Sequence, residues 1–95
     1  MTGLMEDLQG IGKVFKEGHE IGEVSYTIRV YRAGDRGWAY PFAQFRPRQN
    51  LDFHSLLGKV ITLRLEDGRR WECLIQSING NVTAAGDWPL KQDNL

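Results

Sequence analysis

The stretch from Val24 to Tyr31 limits this chain more than any other feature. Val24, Tyr26, Ile28 and Val30 alternate with Ser25, Thr27, Arg29 and Tyr31. Successive side chains of a strand point to opposite faces, so this rhythm predicts a strand with one face on a core and the other toward water. The β-branched and aromatic content suits a pleated surface. The run from Glu20 to Arg32 is longer than an ordinary strand, so it must bend, and Gly22 is the expected place for a bulge.

The same period recurs on both sides. Gly10–Lys16 reads as a strand leading into a turn at Glu17-Gly18-His19, where Gly18 supplies a positive φ. Residues 33–37 have loop composition. Trp38–Arg46 reads as a third strand, and Pro41 excludes it from a central position. Asp52 is placed to cap one helical turn over Phe53–Leu57, closed by Gly58. In Lys59–Glu66, Ile61, Leu63 and Leu65 share a face. In Arg70–Ile78, Trp71, Cys73 and Ile75 share one, while Leu74 and Ile78 interrupt the polar side and imply that it is covered too. Asp67-Gly68 and Asn79-Gly80 read as type I′ hairpin turns, and Asn81–Ala85 as a short closing strand. Before Gly10 the spacing changes: Met1, Leu4, Met5 and Leu8 fall on one helical face.

These elements predict an N-terminal tail or short helical turn over residues 1–9, a single β domain over 10–86 and a C-terminal tail over 87–95, with Trp88-Pro89-Leu90 folding back. Five or six antiparallel strands with exposed edges invite pairing with other chains, and closure removes the edges. The expected fold is an all-β, small antiparallel five- to six-stranded barrel of the OB or SH3-like kind. An open sheet or sandwich is the alternative. Ninety-five residues accommodate one core and no second domain.

Composition excludes more than it selects. Twelve basic and twelve acidic residues leave no net charge, which argues against a duplex binder that draws its affinity from phosphate neutralisation. The basic groups are concentrated, however. Arg29, Arg32, Arg36, Arg46 and Arg48 face only Asp35 within residues 29–48. One cysteine cannot form an internal disulfide. No secretory leader or membrane-length apolar run is evident, so a cytoplasmic location and no membrane association are expected.

No pattern of catalytic, metal-ligating or cofactor-binding residues stands out, and no cofactor is expected. His19 and His54 have no partner residues at metal-ligand spacing. Cys73 lies between Trp71 and Ile75 on an apolar face, the setting of a packed rather than a reactive thiol. Gly10-Ile11-Gly12 lacks the strand–turn–helix context of a phosphate loop. An enzyme is therefore not the expected class.

The one constellation with functional character runs from Arg36 to Arg48, where Trp38, Tyr40, Phe42 and Phe45 are interleaved with Arg36, Arg46 and Arg48. Arg29 and Tyr31, on the outer side of the preceding strand, could extend it. On the plain structural reading, Trp38, Tyr40 and Phe42 form the third strand's core face and arginine stems cover its rim. If they face outward instead, Arg29, Tyr31, Arg36, Trp38, Tyr40, Phe42, Arg46 and Arg48 make an interaction surface. Trp, Tyr and Arg are enriched where proteins bind one another, so a protein partner or a second copy of the chain is expected first. A single-stranded nucleic acid, its bases stacked on Tyr31, Trp38 and Tyr40 and its backbone held by Arg29, Arg46 and Arg48, is the alternative.

Overall fold

The computed structural model describes residues 3–33, 38–48 and 51–89, without the side chains of Ala33 and Trp38. Six strands follow in the order β1 (Gly3–Lys16), β2 (His19–Ala33), β3 (Trp38–Pro47), β4 (Val60–Arg64), β5 (Arg70–Ile75) and β6 (Asn81–Ala84), with one helical turn, α1 (Phe53–Leu56), between β3 and β4. All neighbours are antiparallel, and the sheet closes in the order β1-β2-β3-β6-β5-β4. The expected small all-β barrel is the observed fold.

The core is where the alternation placed it. Val24, Tyr26, Ile28 and Val30 are buried, as are Ile61, Leu63 and Leu65 from the β4 region and Trp71, Cys73 and Ile75 from β5. Asp52 caps α1, its Oδ1 accepting from the His54 amide at 2.9 Å, and Gly58 follows with a φ of 72°. Ile78 corrects one half of an expectation: it lies in the turn after β5 and is exposed, whereas Leu74, on the outer side of β5, is half-buried.

The helical reading of residues 1–9 is also corrected. Residues 3–9 continue β1 and pair with β2 from Gly3↔Arg32 onward. The misleading spacing has a cause. The register shifts between Leu4 and Glu6, which leaves Met5 as an extra residue. Such a bulge breaks the period of two, so Met5 and Leu8 both pack against the core at an interval of three. A second shift, between Val14 and Phe15, leaves Ile21 unpaired beside Gly22, where a bend was expected.

Pairing lengths give the barrel its shape. β1 meets β4 only over Lys13–Phe15, and β3 meets β6 only over Ala43–Gln44. The remainder of β1, β2 and β3 therefore projects from the closed barrel as a three-stranded extension. Gly12 lies at the junction, where a Cβ would overlap Leu63 and the Arg64 carbonyl. Pro41 is tolerated because it falls in the half of β3 that pairs with β2 alone, where a missing N–H costs no second ladder.

The turns invert the sequence-based expectation. Glu17 (φ 51°) and Gly18 (φ 81°) both adopt positive φ between the paired Lys16 and His19, the geometry of a type I′ turn. At Asp67-Gly68 and Asn79-Gly80 only the glycine does so. Gly68 N–H donates to Leu65 O at 2.9 Å and Gly80 N–H to Ser77 O at 2.9 Å. Each glycine thus follows a turn in the left-handed position of a longer loop. Glu17 is the only non-glycine with positive φ among the described residues. An ordinary side chain there costs about 1–2 kcal/mol and Asn tolerates the region far better, so Glu17→Asn is expected to recover part of that cost, up to about 1 kcal/mol. A urea midpoint that stays put or falls would contradict the assignment.

Candidate functional site

The outer face of the three-stranded extension carries the aromatic residues singled out in the sequence. β3's inward positions are Ala39, Ala43 and Phe45, of which Phe45 is fully buried. Tyr40 and Phe42 point outward and are 44% and 64% exposed. The expectation that Trp38, Tyr40 and Phe42 form a core face is therefore overturned for Tyr40 and Phe42; Trp38's side chain lies outside the described residues. The reason is space. Ala43 lies opposite Ile28, and Pro41 opposite Val30. Ile28 and Val30 are already fully buried. Small residues fit inside there, and a second row of rings would overpack the interior.

Register assembles the patch. Tyr31 pairs with Tyr40 and Arg29 with Phe42 on β2–β3, while Leu4 pairs with Tyr31 and Asp7 with Arg29 on β1–β2. Tyr31 and Phe42 pack edge to face with ring centroids 5.5 Å apart, a favoured aromatic geometry. Leu4 is 54% exposed beside them. Arg29, Tyr31, Tyr40 and Phe42 enclose an open depression of about 640 Å³. Arg29 Nε lies 3.9 Å from Asp7 Oδ1, so the apolar patch has a neutral pair of opposite charges at its border.

Other predicted members stand apart. Arg46 is exposed further along β3, and Arg48 lies beyond the strand's end, its amide donating to Glu23 O at 2.9 Å. Arg36 lies outside the described residues. The arginines described therefore do not line up along the rings.

Cys73 is completely buried, and desolvation raises its thiol pKa to about 12. Thiolate is the reactive form, so Cys73 is expected to resist a thiol reagent at pH 8 in the folded protein and to react fully in denaturant. Stoichiometric labelling under native conditions would contradict this burial. No group of three or more His, Cys, Asp or Glu among the described residues is placed to hold a metal ion. No helix among them is long and apolar enough to cross a membrane.

Two clusters were not legible in advance. In the first, Arg69 donates from Nη2 to Glu6 Oε1 at 2.7 Å and from Nη1 to Glu6 Oε2 at 3.0 Å, and from Nε to Asp67 Oδ2 at 2.8 Å. Trp88 Nε1–H donates to the same Glu6 at 2.8 Å. Trp88 is buried and packs edge to face on Trp71, with centroids 5.3 Å apart. This cluster ties the C-terminal segment over the inner face of the extension, as the expected fold-back of Trp88-Pro89 requires. The second gathers Lys13, Phe15, Arg64 and Arg70 on the outer face of β1–β4–β5. Each of its members lies on the outward parity of its own strand, but only the register shows that they meet.

The fold defines a class, the closed six-stranded antiparallel barrel with a three-stranded extension. Comparisons with protein-family models, curated proteins and solved structures give no match.

Proposed function

We propose that this protein is a non-enzymatic interaction module that self-associates through the outer face of its three-stranded extension. The observation that carries this reading is the outward placement of Tyr40 and Phe42 beside Tyr31 and Leu4. Clustered exposed rings of this kind mark contact surfaces more often than solvated ones.

A second copy is the occupant the charge pattern favours. Arg29 and Asp7 are cross-strand neighbours at the patch border. In a two-fold arrangement the same surface meets itself, so each Arg29 can face the other copy's Asp7 without like-charge contact. The chain's zero net charge imposes no long-range repulsion between copies. The β3 edge is an unsuitable alternative contact, because Pro41 interrupts its donors.

Light scattering on the full chain tests the reading. A dimer is expected at micromolar concentration. The double variant Tyr40→Ser, Phe42→Ser is expected to be monomeric and to keep the parent's far-ultraviolet dichroism, since neither side chain is in the core, with a urea midpoint lowered only by the loss of the dimer and of the Tyr31–Phe42 contact. A parent protein that stays monomeric at hundreds of micromolar overturns self-association. If that monomer instead bound short oligonucleotides in a salt-dependent way that the variant lost, the nucleic-acid reading would replace it.

A further inference from the structure

A second surface carries an independent site. We propose that Lys13, Arg64 and Arg70 form a phosphate-binding site on the outer face of β1–β4–β5. The register sets the three cations in a row: Lys13 lies opposite Arg64 on β1–β4, and Arg64 opposite Arg70 on β4–β5. Like charges directly opposite one another across strands are destabilising. A row of three on adjacent strands is thus a liability unless an anion offsets it.

The chain's own carboxylates offset it incompletely. Lys13 Nζ lies 3.7 Å from Glu20 Oε1. Among the described residues, no carboxylate forms an ion pair with Arg64 or Arg70. Glu66 lies nearby, but its Oε2 accepts the Ile11 amide at 2.9 Å. Glu23 lies opposite Lys13 on β2. Glu72 lies opposite Thr62, one row along from Arg70.

Both guanidinium groups are held against one ring. The Arg64 carbon is 5.9 Å and the Arg70 carbon 5.7 Å from the Phe15 centroid, within the range of cation–π attraction. Phe15 thus gathers the two forks on one side of the row. On the other side Lys13, Arg64 and Arg70, with Glu23 and Glu66, border a surface hollow of about 430 Å³. That is room for a phosphate group and the water around it.

The ligand class follows from the donors. Planar guanidinium forks match phosphate oxygens two at a time, and the lysine adds a point charge. A tetrahedral group with several charged oxygens can accept from three separate cations at once; a single carboxylate has only two oxygens and one charge. The phosphate could belong to a small phosphorylated molecule or to the backbone of a single strand.

Calorimetric titration of the full chain at fixed ionic strength, with pyrophosphate in one arm and a twelve-residue oligothymidylate in the other, tests the site. Binding in at least one arm is expected, and Arg64→Gln, Arg70→Gln should weaken it at least tenfold. Arg32→Gln, which removes a surface charge elsewhere, should leave it unchanged. Pyrophosphate alone points to a small ligand. Tighter, salt-dependent oligonucleotide binding points to a strand. No binding in either arm at millimolar concentration, or equal binding by the double variant, would overturn the proposal. None of these results depends on the aromatic face, whose failure would show in the oligomeric state instead.

Discussion

Arg69→Ala is expected to cost about 3 kcal/mol, because the Arg69–Glu6 pair is part-buried and lies nearer to a buried ion pair, whose loss costs about 3–5 kcal/mol, than to an exposed one. For a chain of this size that corresponds to a fall in melting temperature of roughly 12–24 °C. Three features make the loss large. The Arg69 and Glu6 side chains are only 12% and 15% exposed, so water replaces the lost partner poorly. Arg69 also donates to Pro89 O at 2.9 Å and stacks on Trp88, its guanidinium carbon 5.4 Å from the ring. Its removal thus loosens the segment that covers the extension. Among the described residues, truncation leaves Glu6 only the Trp88 donor. Arg69→Lys keeps the charge without the two-pronged geometry and should lie between. An alanine variant within 1 kcal/mol of the parent in urea would show that the cluster behaves as a surface pair.

The same cluster predicts a pH dependence. The hydrogen bond from Arg69 holds the Glu6 carboxyl below its ordinary value of 4.5, and burial opposes this with a smaller effect. A carboxyl whose folded value lies below its unfolded one adds stability that is complete above the unfolded value and is lost as pH falls through the folded one. Stability should therefore decline below about pH 4.5, and Glu6→Gln should flatten that part of the profile.

How much of this was legible depended on whether the information was local. β2, β4, β5 and the Asp52-capped turn could be read because each carries its period or cap within a few residues. β3 shows where the reading failed. Its period of two was clear, but the period does not say which parity faces inward. Bulk suggested Trp38, Tyr40 and Phe42. The better signal was further along the strand, where Gln44 and Arg46 share their parity while Phe45 shares that of Ala39 and Ala43. Extending the polar parity backward places the rings outside, as observed. The ion-pair cluster and the cation row had no local signal. Glu6 and Arg69 are 63 positions apart, and only the closing of β1 onto β4 brings Lys13 beside Arg64.

Gly80→Ala is expected to be the other severely destabilising substitution, and Gly68→Ala separates its causes. The two glycines have nearly the same backbone, with φ of 90° and 93°, and both follow a turn. A residue with a Cβ in that region costs about 1–2 kcal/mol from backbone sterics alone. At Gly68 nothing lies within 4 Å of an added Cβ, so that is the whole expected cost. At Gly80 the added Cβ would overlap the Phe45 carbonyl oxygen. The clash cannot be relieved by a side-chain rotation. It must push β3 away from the turn, against the bond in which Phe45 N–H donates to Gly80 O at 2.8 Å. Phe45 is fully buried, and the β3–β6 seam that follows is only two residue pairs long. Overpacking adds roughly 1–3 kcal/mol to the backbone cost. Gly80→Ala should therefore exceed Gly68→Ala by a clear margin in urea. It should also speed amide exchange at Ala43 and Val82, where the barrel closes. Equal losses at the two sites would mean that φ alone matters and that β3 does not press on the turn.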